Sequence, residues 1–166
     1  MDNVILIGMP GSGKSSVGVV LAKALGYSFT DADLLIQAQE GMLLQEYINT
    51  RGVEAFLDVE GQVLSSLQCR RTVIAPGGSG VCRDEAMEHL RRLGTVVYLS
   101  LSYEEMERRI HNLETRGIAL QPGQTLRDVY DFRRPLYERY AHLTVSVDGQ
   151  SIGETVACVL QALKGI

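Results

Sequence analysis

Residues 8–15 read Gly8-Met9-Pro10-Gly11-Ser12-Gly13-Lys14-Ser15, a complete match to GxxxxGK[ST]. No other feature restricts the fold as much, because such a loop works only between a buried strand and a helix. Both neighbours are present. Asn3–Ile7 is an apolar run rich in β-branched residues and reads as a buried strand. From Lys14 to Leu25, the residues Val17, Leu21, Ala24 and Leu25 recur at helical spacing, and Gly26 stops the helix. Glycines leave space for backbone N–H groups to curl around phosphate oxygens, and the helix turns its positive end toward the same anion. Lys14 is placed to reach the β- and γ-phosphates, and the Ser15 hydroxyl to coordinate Mg²⁺. The candidate nucleotide contacts are Gly8, Gly11, Ser12, Gly13, Lys14, Ser15 and Ser16.

Competing readings of these residues explain less. A plain glycine-rich turn has no need of Lys14 or Ser15. The dinucleotide pattern GxGxxG is imitated from Gly11, with Asp31 at a suitable distance, but Ser16 stands where the third glycine belongs. A GTPase would need a guanine-specifying element such as NKxD, and none is present. Asp58-Val59-Glu60-Gly61 imitates a DxxG switch but falls within a helical stretch.

Further along, strands alternate with helices. Strands are expected at Tyr27–Thr30, Thr72–Ala75, Thr95–Leu101 and Leu143–Val147. Helices are expected at Asp31–Gln39, Leu43–Thr50, Val53–Gln68, Asp84–Leu93, from Ser102 with Glu105 at the capping-box position, Thr125–Tyr140 and Ile152–Leu163. Residues 111–124 are polar, carry Gly117, Pro122 and Gly123, and read as a mobile loop. This alternation implies an α/β fold with a parallel sheet covered on both faces, whose ligands bind at the carboxyl ends of the strands. The glycine clusters after the first and third strands lie there. With 166 residues, one domain spanning 1–166 is expected.

Composition matters mainly for what it excludes. A net charge of −4 disfavours a general nucleic-acid binder. There is no apolar run approaching ~18 residues, so no membrane span is expected. The opening residues lack a basic segment, so no secretory signal is expected. Cys69, Cys82 and Cys158 have no metal-binding or disulfide-framework spacing. Together these point to a cytoplasmic chain. Oligomeric state is not legible.

Asp31 and Asp33 flank Ala32 at the end of the second strand. Residues two apart in an extended segment point the same way, so both carboxylates can face the phosphate loop. One would hold Mg²⁺, and the other would orient or deprotonate an acceptor hydroxyl. The plainer role for one of them is to cap the following helix.

With these residues in place, the chain resembles the shikimate kinase family. The resemblance rests on Gly8–Ser15, Asp31-Ala32-Asp33, the segment Gly52–Glu60, the Gly77-Gly78 turn, and Arg133-Arg134-Pro135-Leu136-Tyr137-Glu138, and it spans about residues 3 to 147. It implies a three-layer P-loop kinase fold with a five-stranded parallel sheet, substrate-binding helices around 31–60 and a lid around 111–124. It implies ATP and Mg²⁺, a small hydroxy-acid acceptor, and no nucleic-acid or membrane partner. Asp33 would be the substrate-contacting base, Asp31 would assist Mg²⁺, and Arg133 would pair with a substrate carboxylate. Arg116 would reach the transferred phosphate from the lid, and Arg109 would stack near adenine. The acceptor would lie among Asp33, residue 57, Gly77, Gly78, Ser79 and Arg133.

Three departures fall on the acceptor side. The family's arginine after the phenylalanine is Leu57 here, which removes a bidentate carboxylate donor. The third glycine of the family's turn is Ser79, which narrows the space and adds a hydroxyl. The family's lid Arg-Pro-Leu-Leu is Arg116-Gly117-Ile118-Ala119. Shikimate, phosphorylated to shikimate 3-phosphate, is the leading acceptor. Another small hydroxy acid such as homoserine is the alternative, as is rescue of shikimate binding by Arg51 or Arg134. A nucleotide-binding module without turnover is the alternative outside the enzyme class.

Overall fold

The computed structural model describes residues 3–111 and 118–166. Its centre is a five-stranded sheet in the order β2-β3-β1-β4-β5, with every neighbouring pair parallel. The strands are β1 (Asn3–Ile7), β2 (Ser28–Asp31), β3 (Thr72–Ala75), β4 (Thr95–Ser100) and β5 (Leu143–Ser146). All five residues of β1 and all four of β3 are buried, the pattern of central strands covered on two faces. The edge strands β2 and β5 are partly exposed.

Eight helices connect and cover the sheet among the described residues: α1 (Lys14–Leu25), α2 (Ala32–Glu40), α3 (Leu44–Arg51), α4 (Val53–Ser66), α5 (Asp84–Leu93), α6 (Tyr103–His111), α7 (Leu126–Tyr140) and α8 (Ile152–Lys164). Their ends follow local rules. Gly26 closes α1 in the left-handed conformation, and Thr125 and Ser151 start α7 and α8 with complete capping boxes.

The apolar interior has two parts. One joins the sheet to its flanking helices through Ile5, Leu6, Leu21, Ile74, Val97 and Tyr137. The other is smaller and lies within the substrate-side helices, formed by Ile36, Leu44, Tyr47, Ile48, Phe56, Leu57, Val63 and Ala119. This second cluster lets α2, α3 and α4 hold a shape of their own beside the sheet.

Two departures from the sequence expectations bear on the site. Strand β2 extends one residue further, so Asp31 is both its last residue and the N-cap of α2. After β3, Gly78–Cys82 forms a 3-10 turn where only a glycine-rich loop is expected. Of the segment 111–124, residues 112–117 lie outside the described residues, and Arg116 with them. Downstream, Gln124 N–H donates to the Gln121 carbonyl in a turn, and the Gln121 amide reaches Glu54 on α4 at 2.9 Å.

Candidate active site

The carboxyl ends of β1, β2 and β3 meet in a cavity of about 530 Å³. Its nucleotide wall is the loop between β1 and α1. Gly11 and Gly13 have φ of +84° and +91°, conformations that side-chain-bearing residues seldom adopt. Lys14, 9% exposed, donates from Nζ to the Gly8 and Met9 carbonyls at 2.9 and 3.0 Å. The lysine is therefore folded back over the loop's concave side, where a phosphate would take over its bonds. Ser12 Oγ is buried with no hydrogen-bond partner among the described residues. A buried hydroxyl left this way suits a loop shaped for an anion.

Ser15 Oγ donates to Asp31 Oδ2 at 2.9 Å, and Asp31 Oδ1 accepts the Asp33 N–H at 2.9 Å. Asp31 thus caps α2, the plainer role weighed for it, and its other oxygen accepts from the hydroxyl expected to meet Mg²⁺. An alkoxyl donor and a carboxylate side by side are the oxygen set a hard divalent cation requires. Arg109, on α6, donates from Nη1 to the Gly11 carbonyl at 2.9 Å and from Nη2 to the Val147 carbonyl at 3.3 Å, while Glu105 holds its Nε at 3.1 Å. It is fixed against the nucleotide side of the loop.

The acceptor wall brings together residues far apart in sequence. Asp33 stands in the first turn of α2, and Arg133 projects from α7 with 4% exposure. Arg133 Nη2 donates to the Ala119 carbonyl at 3.2 Å, and the Gly78 α-carbon faces Nη1. One turn beyond Arg133, Tyr137 donates its hydroxyl to the Gly78 carbonyl at 2.5 Å and stacks on Tyr98, their ring centroids 5.2 Å apart. This fixes the Gly77–Gly78 turn against α7. Gly77 has no room for a side chain: a Cβ there would overlap Glu60 Oε2 and lie 2.8 Å from Asp33 Oδ1.

Three sequence expectations change. Leu57 does not line the cavity; it is 7% exposed and belongs to the apolar cluster around Phe56 and Ile48, where a leucine gains more from burial than from contact with a polar ligand. Arg51 does not replace the missing arginine. It is solvent-exposed, 4.0 Å from Glu40 and stacked over Tyr47. Arg134 does not either, since it pairs with Glu138 at 3.1 Å and borders a separate surface hollow. Ser79 does line the cavity, but its hydroxyl is committed to Glu60 at 2.6 Å.

Glu60 has no assigned role in the sequence reading, yet it sits at the cavity wall with 1% exposure. A signal for it exists: Phe56, Glu60, Val63 and Leu64 share one helical face, so a carboxylate interrupts an apolar stripe. Burial, opposed by the Ser79 hydrogen bond, pushes its carboxyl up to about 7. The folded protein therefore keeps a proton that the unfolded chain releases near pH 4.5, and stability should fall as pH rises from 4.5 through about 7. The full loss is of order 3 kcal/mol. Urea titrations over this window should show the wild type losing stability relative to Glu60→Gln. Parallel curves would mean that the carboxyl is ionised throughout.

A phosphate-cradling loop facing a carboxylate and an arginine across one cavity defines a P-loop kinase for a small molecule. Comparison with known proteins narrows the class. The family model described as shikimate kinase matches residues 10–164, and the chain belongs to the shikimate kinase family. A shikimate kinase of Paracidovorax citrulli is 39% identical over 165 residues, covering 96% of this chain and 88% of that protein. One of Synechococcus is 36% identical over 168 residues, covering 99% and 85%. Among solved structures, a shikimate kinase from Acinetobacter baumannii in complex with shikimate superposes with a TM-score of 0.86 at 30% identity, covering 99% of this chain and 94% of that one. The Aquifex aeolicus enzyme superposes with a TM-score of 0.82 at 28% identity, covering 98% and 96%. Among the described residues, no helix is long and apolar enough to cross a membrane.

Proposed function

We propose that this chain, as one kinase unit, transfers the γ-phosphoryl group of ATP to a hydroxyl of shikimate, yielding shikimate 3-phosphate and ADP. The observation that carries this reading is the convergence of Lys14, Asp33 and Arg133 on a single cavity at the strand ends. Arg133 supplies a guanidinium for the acceptor's carboxylate. That anchor turns the hydroxyl toward Asp33, which positions it and accepts its proton as the oxygen bonds to phosphorus. Lys14 and the loop N–H groups stabilise the charge that collects on the phosphoryl oxygens and on the departing β-phosphate. Ser15, with Asp31 behind it, would hold Mg²⁺, which would supply further neutralisation of the phosphates. We assign Arg116 the transition-state contact from the lid, and Arg109 the adenine side.

A second reading is favoured by one observation. Among the described residues, Arg133 is the only arginine lining the cavity, so the acceptor wall offers one guanidinium where the family's pattern supplies a further one. A smaller hydroxy acid such as homoserine, with its primary hydroxyl, needs only one. Steady-state kinetics against a panel of hydroxy acids decides between the two. Shikimate turnover with KM between micromolar and millimolar is the expected outcome. Turnover confined to another acceptor would replace shikimate in the reading.

A further inference from the structure

Two of the three substitutions that set this acceptor site apart meet at one side chain. Glu60 lies three residues after Leu57 on α4, the spacing at which helical side chains are neighbours. A cation at position 57 would stand beside the Glu60 carboxylate; leucine offers it nothing. Ser79, in place of a glycine, donates to Glu60 Oε1 at 2.6 Å. Oε2 has no hydrogen-bond partner among the described residues, though it is buried beside Gly77 at the cavity wall. Among those residues, no lysine or arginine lies within ion-pair distance of Glu60.

The groups around it are mixed in charge. Asp33 faces Glu60 from α2, Lys14 from α1, Arg133 from α7, and the Cys82 thiol from the 3-10 turn. Helix α3 brings Glu46 to the cavity wall. Arg83, at the start of α5, packs its stem on Gly61 but gives its guanidinium to Glu54 and Asp58, both largely exposed. Lys14 and Arg133 both bear on Glu60 from a distance, but among the described residues neither forms an ion pair with it.

We propose that Glu60 is a specificity-determining residue of the acceptor site, and that it admits a carboxylate-bearing acceptor only when it carries a proton. A single proton on Glu60, against which the Ser79 hydrogen bond works, removes the negative charge that a cation at position 57 would otherwise have balanced. An ionised Glu60 would repel the acceptor's carboxylate and compete with it for Arg133, in surroundings where charges interact strongly. A neutral Glu60 does not compete for Arg133, which the acceptor then shares with the Ala119 carbonyl, and leaves Asp33 to act on the hydroxyl. Pairs of carboxyl groups divided between neutral and ionised forms are a common way of separating roles in one site. The proposal rests on the preceding reading that the acceptor is a carboxylate.

Three measurements test it. With the free protein, isotope-edited infrared difference spectroscopy should show a protonated carboxyl band near pH 6 that disappears in Glu60→Gln; its absence in the wild type overturns the proposal whatever the acceptor is. For shikimate, or whichever panel acid is turned over, acceptor KM should rise up to about tenfold between pH 6 and 8 while the KM for ATP stays within about twofold. Glu60→Gln should abolish this dependence. Ser79→Ala removes a bond that favours the ionised form, so the rise in KM should move to higher pH. A purely structural serine would alter stability and leave that inflection in place, and an unmoved inflection counts against the proposal. A failure of shikimate turnover alone would sink the shikimate reading, whereas a flat acceptor profile together with a missing infrared band would sink the role of Glu60.

Discussion

Replacing Asp33 with asparagine should lower kcat by about 10² to 10⁴-fold, the range expected when a positioned general base is lost. ATP affinity should stay within about twofold, because the loop is shaped by the bonds from Lys14 to the Gly8 and Met9 carbonyls and from Ser15 to Asp31, which the change leaves in place. The variant is a clean probe. The bond from Asp33 to Asp31 Oδ1 uses the backbone N–H, so the N-cap of α2 survives the change. Asparagine keeps nearly the same shape and loses only the charge and the ability to take a proton. The same measurement separates an enzyme from a nucleotide-binding module, since a module would bind ATP before and after the change and have no rate to lose. Equilibrium binding of an ATP analogue with single-turnover phosphoryl transfer would make the comparison. An unaltered transfer rate would take Asp33 out of the chemistry.

Gly77→Ala should be nearly as damaging, for a different reason. The added methyl group would overlap Glu60 Oε2 and stand 2.8 Å from Asp33 Oδ1, and both of those oxygens are buried. Something must move. If Asp33 shifts by about 1 Å, a loss of roughly 10²-fold in kcat follows from misalignment alone. Overpacking of a well-filled site adds a stability loss of about 1–3 kcal/mol. Gly153→Ala is the matching control: its Cβ would meet only Ser151 Oγ at 4.0 Å, and it lies in the first turn of α8. There alanine should raise stability by up to about 1 kcal/mol and leave kcat unchanged. Comparable kinetics for the two alanine variants would show that the crowding at Gly77 is relieved without disturbing Asp33.

Legibility in the sequence followed distance along the chain. The loop from Gly8 to Ser15 was readable because its chemistry is written in eight consecutive residues, and the strand and helix beside it carry their own periodicities. The Asp31–Asp33 pair was readable from its place at a strand end beside the loop, but the strand alternation expected for it does not hold, since only Asp31 is extended and Asp33 stands in the first turn of α2. The pairing of Ser79 with Glu60 joins residues nineteen positions apart through tertiary packing, and no local rule foretells it. Leu57 illustrates the same limit. Its identity showed that something was missing from the acceptor side, but only the packing of α4 against α2 and α3 reveals that the side chain turned to the apolar cluster. Arg51 and Arg134 were reasonable substitutes by proximity in sequence, and both are held elsewhere by Glu40 and Glu138. The 3-10 turn at Gly78–Cys82 was hidden because glycine-rich segments carry no periodic signal.

Ala119 connects two parts of the protein that are usually discussed apart. Its side chain is buried among Phe56, Leu57 and Ile48, and its carbonyl accepts the Arg133 guanidinium. An arriving carboxylate would have to share Arg133 with this carbonyl. The same guanidinium thus ties residue 119 to α7 and faces the cavity.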